Sequence, residues 1–221
     1  MNNILYLVFI LCGFLFGNVM FASLIPELIL HKDVAADAKD HNPGAGNVFV
    51  HCGVGWGLLC LFLDFAKGFV PVFLATLFTP GTGFLFALTN AAPDLGHSLG
   101  MFNHFEGGKC IATAFGVTFA TCLLTQAFWI LPAVFILFSL IRINPHRLRS
   151  IATFLVFGFL SLLVLVLTEK YAIGIGYALV SLTAVIKHTR LFAKDEIPDE
   201  APQESENAEN AEEVPAQHGG R

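Results

Sequence analysis

Long apolar stretches alternate with short polar segments along most of the 221-residue chain. A helix rises about 1.5 Å per residue and the hydrocarbon core of a bilayer is about 30 Å thick, so roughly 20 apolar residues make one span. Stretches of this kind cover residues 3–30, 54–78, 82–101, 110–124, 126–141, 151–168 and 171–186. The pattern predicts an all-α polytopic membrane protein with about seven transmembrane helices. One bent helix around Pro132, in place of the fourth and fifth, would give six.

The composition fits a protein embedded in a membrane. Hydrophobic residues make up 55% of the chain and charged residues 13%, and the mean hydropathy of +0.69 lies outside the range of ordinary soluble domains. The first residues, MNNIL, lack the Lys or Arg that begins a cleavable signal peptide. We therefore expect the first apolar stretch to remain in the protein as a helix.

Basic residues outside the apolar stretches concentrate in alternate connections. Those that follow the first, third, fifth and seventh stretches are Lys32, Lys39, Lys109, Arg142, Arg147, Arg149, Lys187, Arg190 and Lys194. The connections on the opposite side hold only Lys170. Because cytoplasmic connections are enriched in Lys and Arg, this asymmetry predicts an N-terminus outside and a C-terminus in the cytoplasm.

The end of the chain has a different composition from the rest. Residues 195–221 contain nine acidic residues and one basic residue. Their net charge is therefore more negative than the formal net charge of −5 for the whole chain. Such a segment cannot bury enough apolar surface to fold. We predict an integral-membrane domain over residues 1–194 and an acidic, disordered cytoplasmic tail over residues 195–221.

The first connection on the cytoplasmic side contains NPGAGN, residues 42–47. Its small residues predict a non-helical loop with exposed backbone N–H groups and two Asn side chains. Such a loop can donate several hydrogen bonds to an anion, and the candidate ligands are Asn42, Gly44 and Asn47. A plain turn between two helices is the alternative that so short a motif leaves open.

The second cytoplasmic connection ends in Gly107, Gly108 and Lys109, directly before an apolar stretch. Two glycines permit a tight turn, and the next helix would begin with unpaired N–H groups beside the lysine charge. This combination suits a phosphate group, while a short turn with a lysine that extends into water would give the same pattern. His97, near the end of the third stretch, is a candidate acid, base or phosphate ligand.

Asp64 and Lys67 lie inside the second stretch, on one face of a helix. Charges at this depth cost about 2.5 to 3.5 kcal/mol each, so the pair indicates either a function, as in a small transporter, or a structural link between helices. The histidines near the cytoplasmic side show no i, i+4 pair of the kind that binds a metal. We therefore predict no metal. We also predict no other cofactor and no nucleic-acid partner.

Taken in order, these elements resemble the bacterial acyl-phosphate:glycerol-3-phosphate acyltransferase family, the PlsY type, from about Ser23 to Glu196. The segment NPGAGN is similar to the end of the family motif GSGNPGATN. A DxxKG element is matched by Asp64, Lys67 and Gly68, and the next motif by Gly96, His97, Phe105, Gly107, Gly108, Lys109, Ala112 and Thr113. The last motif is matched by Arg190, Leu191 and Glu196.

The resemblance implies a seven-helix enzyme of the bacterial cytoplasmic (inner) membrane whose active face is cytoplasmic. Its reaction would transfer a fatty acyl group from acyl phosphate to the 1-hydroxyl of glycerol 3-phosphate, giving lysophosphatidic acid for phospholipid biosynthesis. His97 and Lys109 are then the expected catalytic residues. The expected ligands of the substrate phosphate are Asn42, Gly44, Asn47, Gly107, Gly108, Lys109 and Glu196. The partners would be the two substrates and membrane lipid, and the oligomeric state stays open.

Five positions depart from the family pattern. The replacements are Asp40 for a serine, Gly46 for a threonine, Val50 for an arginine, Gly100 for a proline and Glu106 for a lysine. Two cationic side chains are lost and two carboxylates are gained around a site meant for phosphate dianions. The alternative interpretation is therefore a weakened or inactive paralogue that binds a lipid or a phosphate ester.

Overall fold

The computed structural model describes residues 2–38, 40–141, 143 and 146–189. Every regular element in this part of the chain is helical, so the prediction of an all-α fold is confirmed for these residues. Several residues used in the predictions lie outside the described residues, namely Lys39, Arg142, Arg190, Leu191, Lys194, Glu196 and the tail at 195–221.

The described α-helices are α1 (Asn2–Gly17), α2 (Phe21–Ile25), α3 (Val34–Asp37), α4 (Ala45–Cys52), α5 (Val54–Phe78), α6 (Gly83–Leu99), α7 (Ile111–Ala120), α8 (Ile130–Leu140), α9 (His146–Leu167) and α10 (Tyr171–His188). A π-helical turn, Pro26–Leu30, continues α2, and two 3-10 turns lie at Met101–Asn103 and Ala127–Trp129. Within the described residues, four segments are long and apolar enough to cross a membrane, namely Asn3–Leu30, Val54–Phe78, Arg147–Leu167 and Tyr171–His188. The shorter helices α6, α7 and α8 lie at the other three predicted spans.

The first predicted helix is interrupted rather than continuous, because residues 18–20 between α1 and α2 are not helical. Two long-range hydrogen bonds join the interruption to other parts of the protein. The side-chain oxygen of the buried Asn18 accepts a hydrogen bond from the backbone N–H of Met101 at 2.7 Å. The Lys67 ammonium donates to the carbonyl of Val19 at 2.6 Å. A broken helix is tolerated at membrane depth when other parts of the protein take over its hydrogen bonds.

The segment NPGAGN is only partly a loop, since α4 begins at Ala45 within it. The prediction of a non-helical loop is therefore wrong for its second half. Gly44 takes the extended N-cap conformation, with φ −116° and ψ 154°, and Ala45 and Val48 are buried. Phe49 packs on Gly57 of α5, where a Cβ would come within 2.4 Å of the Phe49 ring. Burial of one face stabilises this short helix in spite of its glycine content.

The fourth and fifth predicted helices are separate elements, α7 and α8, so a single bent helix around Pro132 does not form. Two side chains in or just before α10 donate hydrogen bonds to backbone carbonyls at the break after α7. The Tyr177 hydroxyl donates to the carbonyl of Thr118 at 3.1 Å, and the Lys170 ammonium donates to the carbonyl of Leu124. Pro132 lies in the first turn of α8, where its missing N–H leaves no bond unmade.

Glycines bring two pairs of helices into backbone contact. A Cβ on Gly96 of α6 would lie 2.2 Å from the carbonyl oxygen of Phe14 on α1. A Cβ on Gly116 of α7 would lie 2.1 Å from the carbonyl oxygen of Phe65 on α5. Small residues at such crossings let helix backbones approach closely in a membrane protein. These contacts fix α1 against α6 and α5 against α7.

Candidate functional site

A cavity of about 400 Å³ opens where α4, α5, α6 and α7 meet. Of the predicted site residues, those that line it are Asn42, Gly44, Asn47, Asp64, His97 and Lys109. Its volume lies within the range of small-molecule sites. No group of three His, Cys, Asp or Glu side chains that could hold a metal ion occurs among the described residues. The fold therefore gathers residues from four separate segments around one space.

The N-terminal ends of two helices face this cavity. Ala45 and Gly46 begin α4, Ile111 and Ala112 begin α7, and all four line the wall. First-turn N–H groups have no acceptor within their own helix and carry partial positive charge. With the ammonium of Lys109 in the same wall, these ends produce a positive potential that suits an anion.

The carboxylate of Asp40 occupies polar donors of this cavity. Its Oδ2 pairs with Nζ of Lys109 at 2.9 Å. Its Oδ1 accepts from the side-chain amide of Asn47 at 2.8 Å and from the backbone N–H of Asn42 at 3.3 Å. Three of the residues that the sequence assigned to a phosphate, Lys109, Asn47 and Asn42, therefore donate to an anion of the chain itself.

The charge state of Asp40 follows from these contacts. Burial raises the pKa of Asp40, but the hydrogen bonds from Lys109, Asn47 and the Asn42 backbone, together with the charge of Lys109, outweigh burial and leave the pKa below its ordinary value. The carboxylate is therefore ionised at neutral pH. Its contribution to stability is fully present above the ordinary aspartate pKa and is lost as the pH falls through the lowered pKa.

His97 is positioned by the glycine pair in front of α7. The backbone N–H of Gly108 donates to the carbonyl of His97 at 3.0 Å. A Cβ on Gly108 would lie 2.3 Å from Nε2 of His97, and one on Gly107 would lie 2.4 Å from its carbonyl oxygen. Gly107 and Gly108 are not part of the cavity wall. The tight turn predicted at this position serves to pack the backbone against the histidine.

The buried pair of α5 lies beneath the cavity. Nζ of Lys67 is 2.8 Å from Oδ1 of Asp64, and the same ammonium donates to the carbonyl of Val19. Lys67 is fully buried, and of the two residues only Asp64 reaches the cavity wall. The pair therefore links α5 to the interruption after α1 and also presents a carboxylate to the cavity.

Sequence reasoning missed two features of this region. It marked Asp40 as a departure but did not predict the contacts of its carboxylate with Lys109 and with the N–H of Asn42. Only the second contact has a local signal, because an Asp side chain commonly bonds the N–H two residues on. It did not single out Asp94, which lies on α6 one turn before His97 and is 0% exposed. Neither Asp94 carboxyl oxygen has a hydrogen-bond partner within the described part of the chain. An acid inside an apolar stretch was the available signal.

Comparisons with known proteins agree on one family. The family model described as glycerol-3-phosphate acyltransferase matches residues 7–194. A glycerol-3-phosphate acyltransferase of Thermotoga petrophila is 33% identical over 181 residues, which cover 82% of this chain and 88% of the relative. Glycerol-3-phosphate acyltransferase 2 of Thermotoga maritima is 32% identical over 181 residues, with coverage of 82% and 88%.

The fold is also similar to a solved structure. The crystal structure of PlsY (YgiH), an integral membrane glycerol 3-phosphate acyltransferase, superposes in its glycerol 3-phosphate form with a TM-score of 0.71 and 26% identity, covering 83% of this chain and 88% of that chain. Its lysophosphatidic acid form gives a TM-score of 0.69 and 26% identity, with coverage of 84% and 88%.

Proposed function

The chain belongs to the glycerol-3-phosphate acyltransferase family, whose reaction is acyl transfer to glycerol 3-phosphate in phospholipid synthesis, and we propose that its cavity between α4 and α7 is the site of that transfer. We propose acyl phosphate as the donor and the 1-hydroxyl of glycerol 3-phosphate as the acceptor. The observation that carries this assignment is the convergence of Lys109, Asn47 and two helix N-termini on one cavity that also contains His97.

Phosphate is bound by the donors of the cytoplasmic connections. Lys109 and the side chains of Asn42 and Asn47 supply hydrogen bonds, and those from the charged lysine are the strongest. Gly44 leaves room for this arrangement, because a Cβ there would lie 2.5 Å from the amide nitrogen of Asn42. Glu196, outside the described residues, stays in the proposal on the family resemblance alone.

The chemistry requires little beyond positioning, because acyl phosphate is a mixed anhydride with a good leaving group. The hydroxyl oxygen of the acceptor attacks the acyl carbonyl carbon, and the bond from that carbon to the phosphate oxygen breaks. Inorganic phosphate leaves with the electron pair, and His97 accepts the hydroxyl proton. The N-terminal ends of α4 and α7 stabilise the charge on the leaving phosphate, while Lys109 and Asn47 hold the phosphate of the acceptor. Binding both substrates in one cavity supplies proximity.

The acyl chain of the donor lies along the apolar side of the cavity. That side is formed by Phe49, Leu61 and Ile111. Leu61 is 41% exposed on the outer surface of α5, which in a membrane protein is a surface for hydrocarbon. The cavity is therefore suited to a substrate with a polar head and a chain that continues toward lipid.

The same proposal includes the topology. Seven spans, with the N-terminus outside and the C-terminus in the cytoplasm, would place the active face on the cytoplasmic side of a bacterial inner membrane. The positions of α6, α7 and α8 at the three shorter predicted spans support this arrangement. We retain residues 1–194 as the membrane domain and residues 195–221 as an acidic cytoplasmic tail.

The test is acyl transfer by purified protein in detergent, with labelled glycerol 3-phosphate as the acceptor. We expect palmitoyl phosphate to give lysophosphatidic acid and one inorganic phosphate per product, and palmitoyl-CoA to give none. Product from palmitoyl-CoA alone would overturn the choice of donor. Absence of product from either donor, with folded protein, would favour the interpretation as an inactive paralogue.

Gly108→Ala is expected to lower kcat roughly tenfold or more, because the new Cβ would displace Nε2 of His97 from its place in the cavity. The matched control is Gly55→Ala on α5, where nothing lies within 4 Å of an added Cβ. Steady-state kinetics of both variants would check this. Equal kcat values for the two variants would show that the position of His97 does not limit turnover.

A further inference from the structure

We propose that Asp40 determines the acceptor specificity of the cavity by acting as a built-in anion. Its carboxylate occupies the phosphate-binding donors until the phosphate group of the acceptor displaces it. The inference rests on the proposed function of the cavity and extends it. It concerns a residue that the family resemblance marks only as a departure.

The geometry resembles that of a bound oxyanion. One carboxylate receives an ammonium, a side-chain amide and a backbone N–H, at 2.9, 2.8 and 3.3 Å. Lys109 stands 69 residues from Asp40 in sequence, so this convergence is a property of the folded site and not of the local turn alone. The two side chains are 26% and 29% exposed, which leaves the pair accessible to a ligand.

Displacement of Asp40 favours acceptors with a phosphate dianion. Such a group carries two charges and three terminal oxygens, so it can take over the donors of Lys109 and Asn47 together. A carboxylate ligand carries the same single charge as the Asp40 carboxylate and so has no advantage over it. A neutral polyol offers no charge to the lysine. Asp40 therefore excludes weaker acceptors and raises the concentration of glycerol 3-phosphate needed for half-saturation.

The decisive measurement is the kinetics of Asp40→Ser, with Asp37→Ser as the matched control. Asp37 is an exposed acid of the same connection, so its replacement removes the same charge without touching the donors. For Asp40→Ser we expect the KM for glycerol 3-phosphate to fall roughly five- to tenfold while kcat stays within about twofold. We expect both constants of Asp37→Ser to equal those of the wild type. An unchanged or raised KM for Asp40→Ser would overturn the proposal.

A binding measurement separates this inference from the proposed function. Inorganic phosphate should protect Asp40→Ser against thermal unfolding at a concentration roughly five- to tenfold lower than it protects the wild type. Acetate should protect only Asp40→Ser, and glycerol should protect neither protein. Tighter phosphate binding in a protein without acyl transfer would sustain the inference and reject the function. Acyl transfer together with equal phosphate affinities of Asp40→Ser and the wild type would sustain the function and reject the inference.

The remaining alternative is that Asp40 only shapes the loop that leads into α4. Asp40→Asn tests this alternative, because the amide keeps the size of the side chain and one acceptor oxygen for Asn47. We expect it to fold and to lower KM in the same direction as the serine variant. If neither variant folds, the carboxylate is structural and the proposal is wrong.

Discussion

Lys109→Ala is expected to reduce kcat/KM for acyl transfer at least about a hundredfold. The substitution removes the lysine charge of the cavity wall and leaves the Asp40 carboxylate facing the incoming phosphate. Two like charges 4 Å apart repel by about 4 kcal/mol at an effective dielectric constant of about 20, so the loss should exceed that of one hydrogen bond. The measurement is transfer from palmitoyl phosphate to glycerol 3-phosphate at several acceptor concentrations.

Two further variants make this result specific. Lys32→Ala removes an exposed lysine whose ammonium donates to the carbonyl of His51, away from the cavity, and should leave kinetics unchanged. The double variant Lys109→Ala, Asp40→Ser should recover part of the lost activity, since the repelling carboxylate is gone. Wild-type activity in Lys109→Ala would show that phosphate is bound elsewhere.

The helical framework could be predicted because it depends on local apolar length, and α5 and α10 illustrate this. Both helices occupy long apolar stretches between polar connections, and α5 agrees with the sequence pattern at both ends. The interruption at residues 18–20 could not be predicted in this way. It is compensated by Lys67, which stands 48 residues away from Val19. A long-range hydrogen bond of this kind leaves no periodic signal in either segment.

The site illustrates the same limit. Asn42, Asn47 and Lys109 could be selected individually, because small residues and a lysine beside a helix start suit an anion. Their joint contact with Asp40 depends on how two connections fold together, and single motifs do not encode that arrangement. The Gly107–Gly108 pair was predicted for its turn, but its use is steric, since the backbone packs against His97. Motifs therefore identified the components more reliably than their contacts.

Lys67→Met is expected to lower the stability of the protein by about 3 to 5 kcal/mol, since it leaves a buried carboxylate without its cation. Asp64 is 3% exposed, and the carbonyl of Val19 would lose the ammonium that bonds it. Where no water reaches these groups, neither loss is compensated by solvent. Thermal unfolding in detergent should show a clear drop in the apparent melting temperature, with Lys32→Met as the exposed control.

The double variant Lys67→Met, Asp64→Asn decides what the pair does. It removes both charges, so it should regain much of the stability lost in Lys67→Met, but not all, because the carbonyl of Val19 still lacks its donor. Equal melting temperatures for the single and double variants would show that charge pairing is not the stabilising element. Asp64 also lines the cavity, so activity separates the two roles. If the double variant melts near the wild type but transfers no acyl group, the Asp64 carboxylate acts in the reaction as well as in the fold.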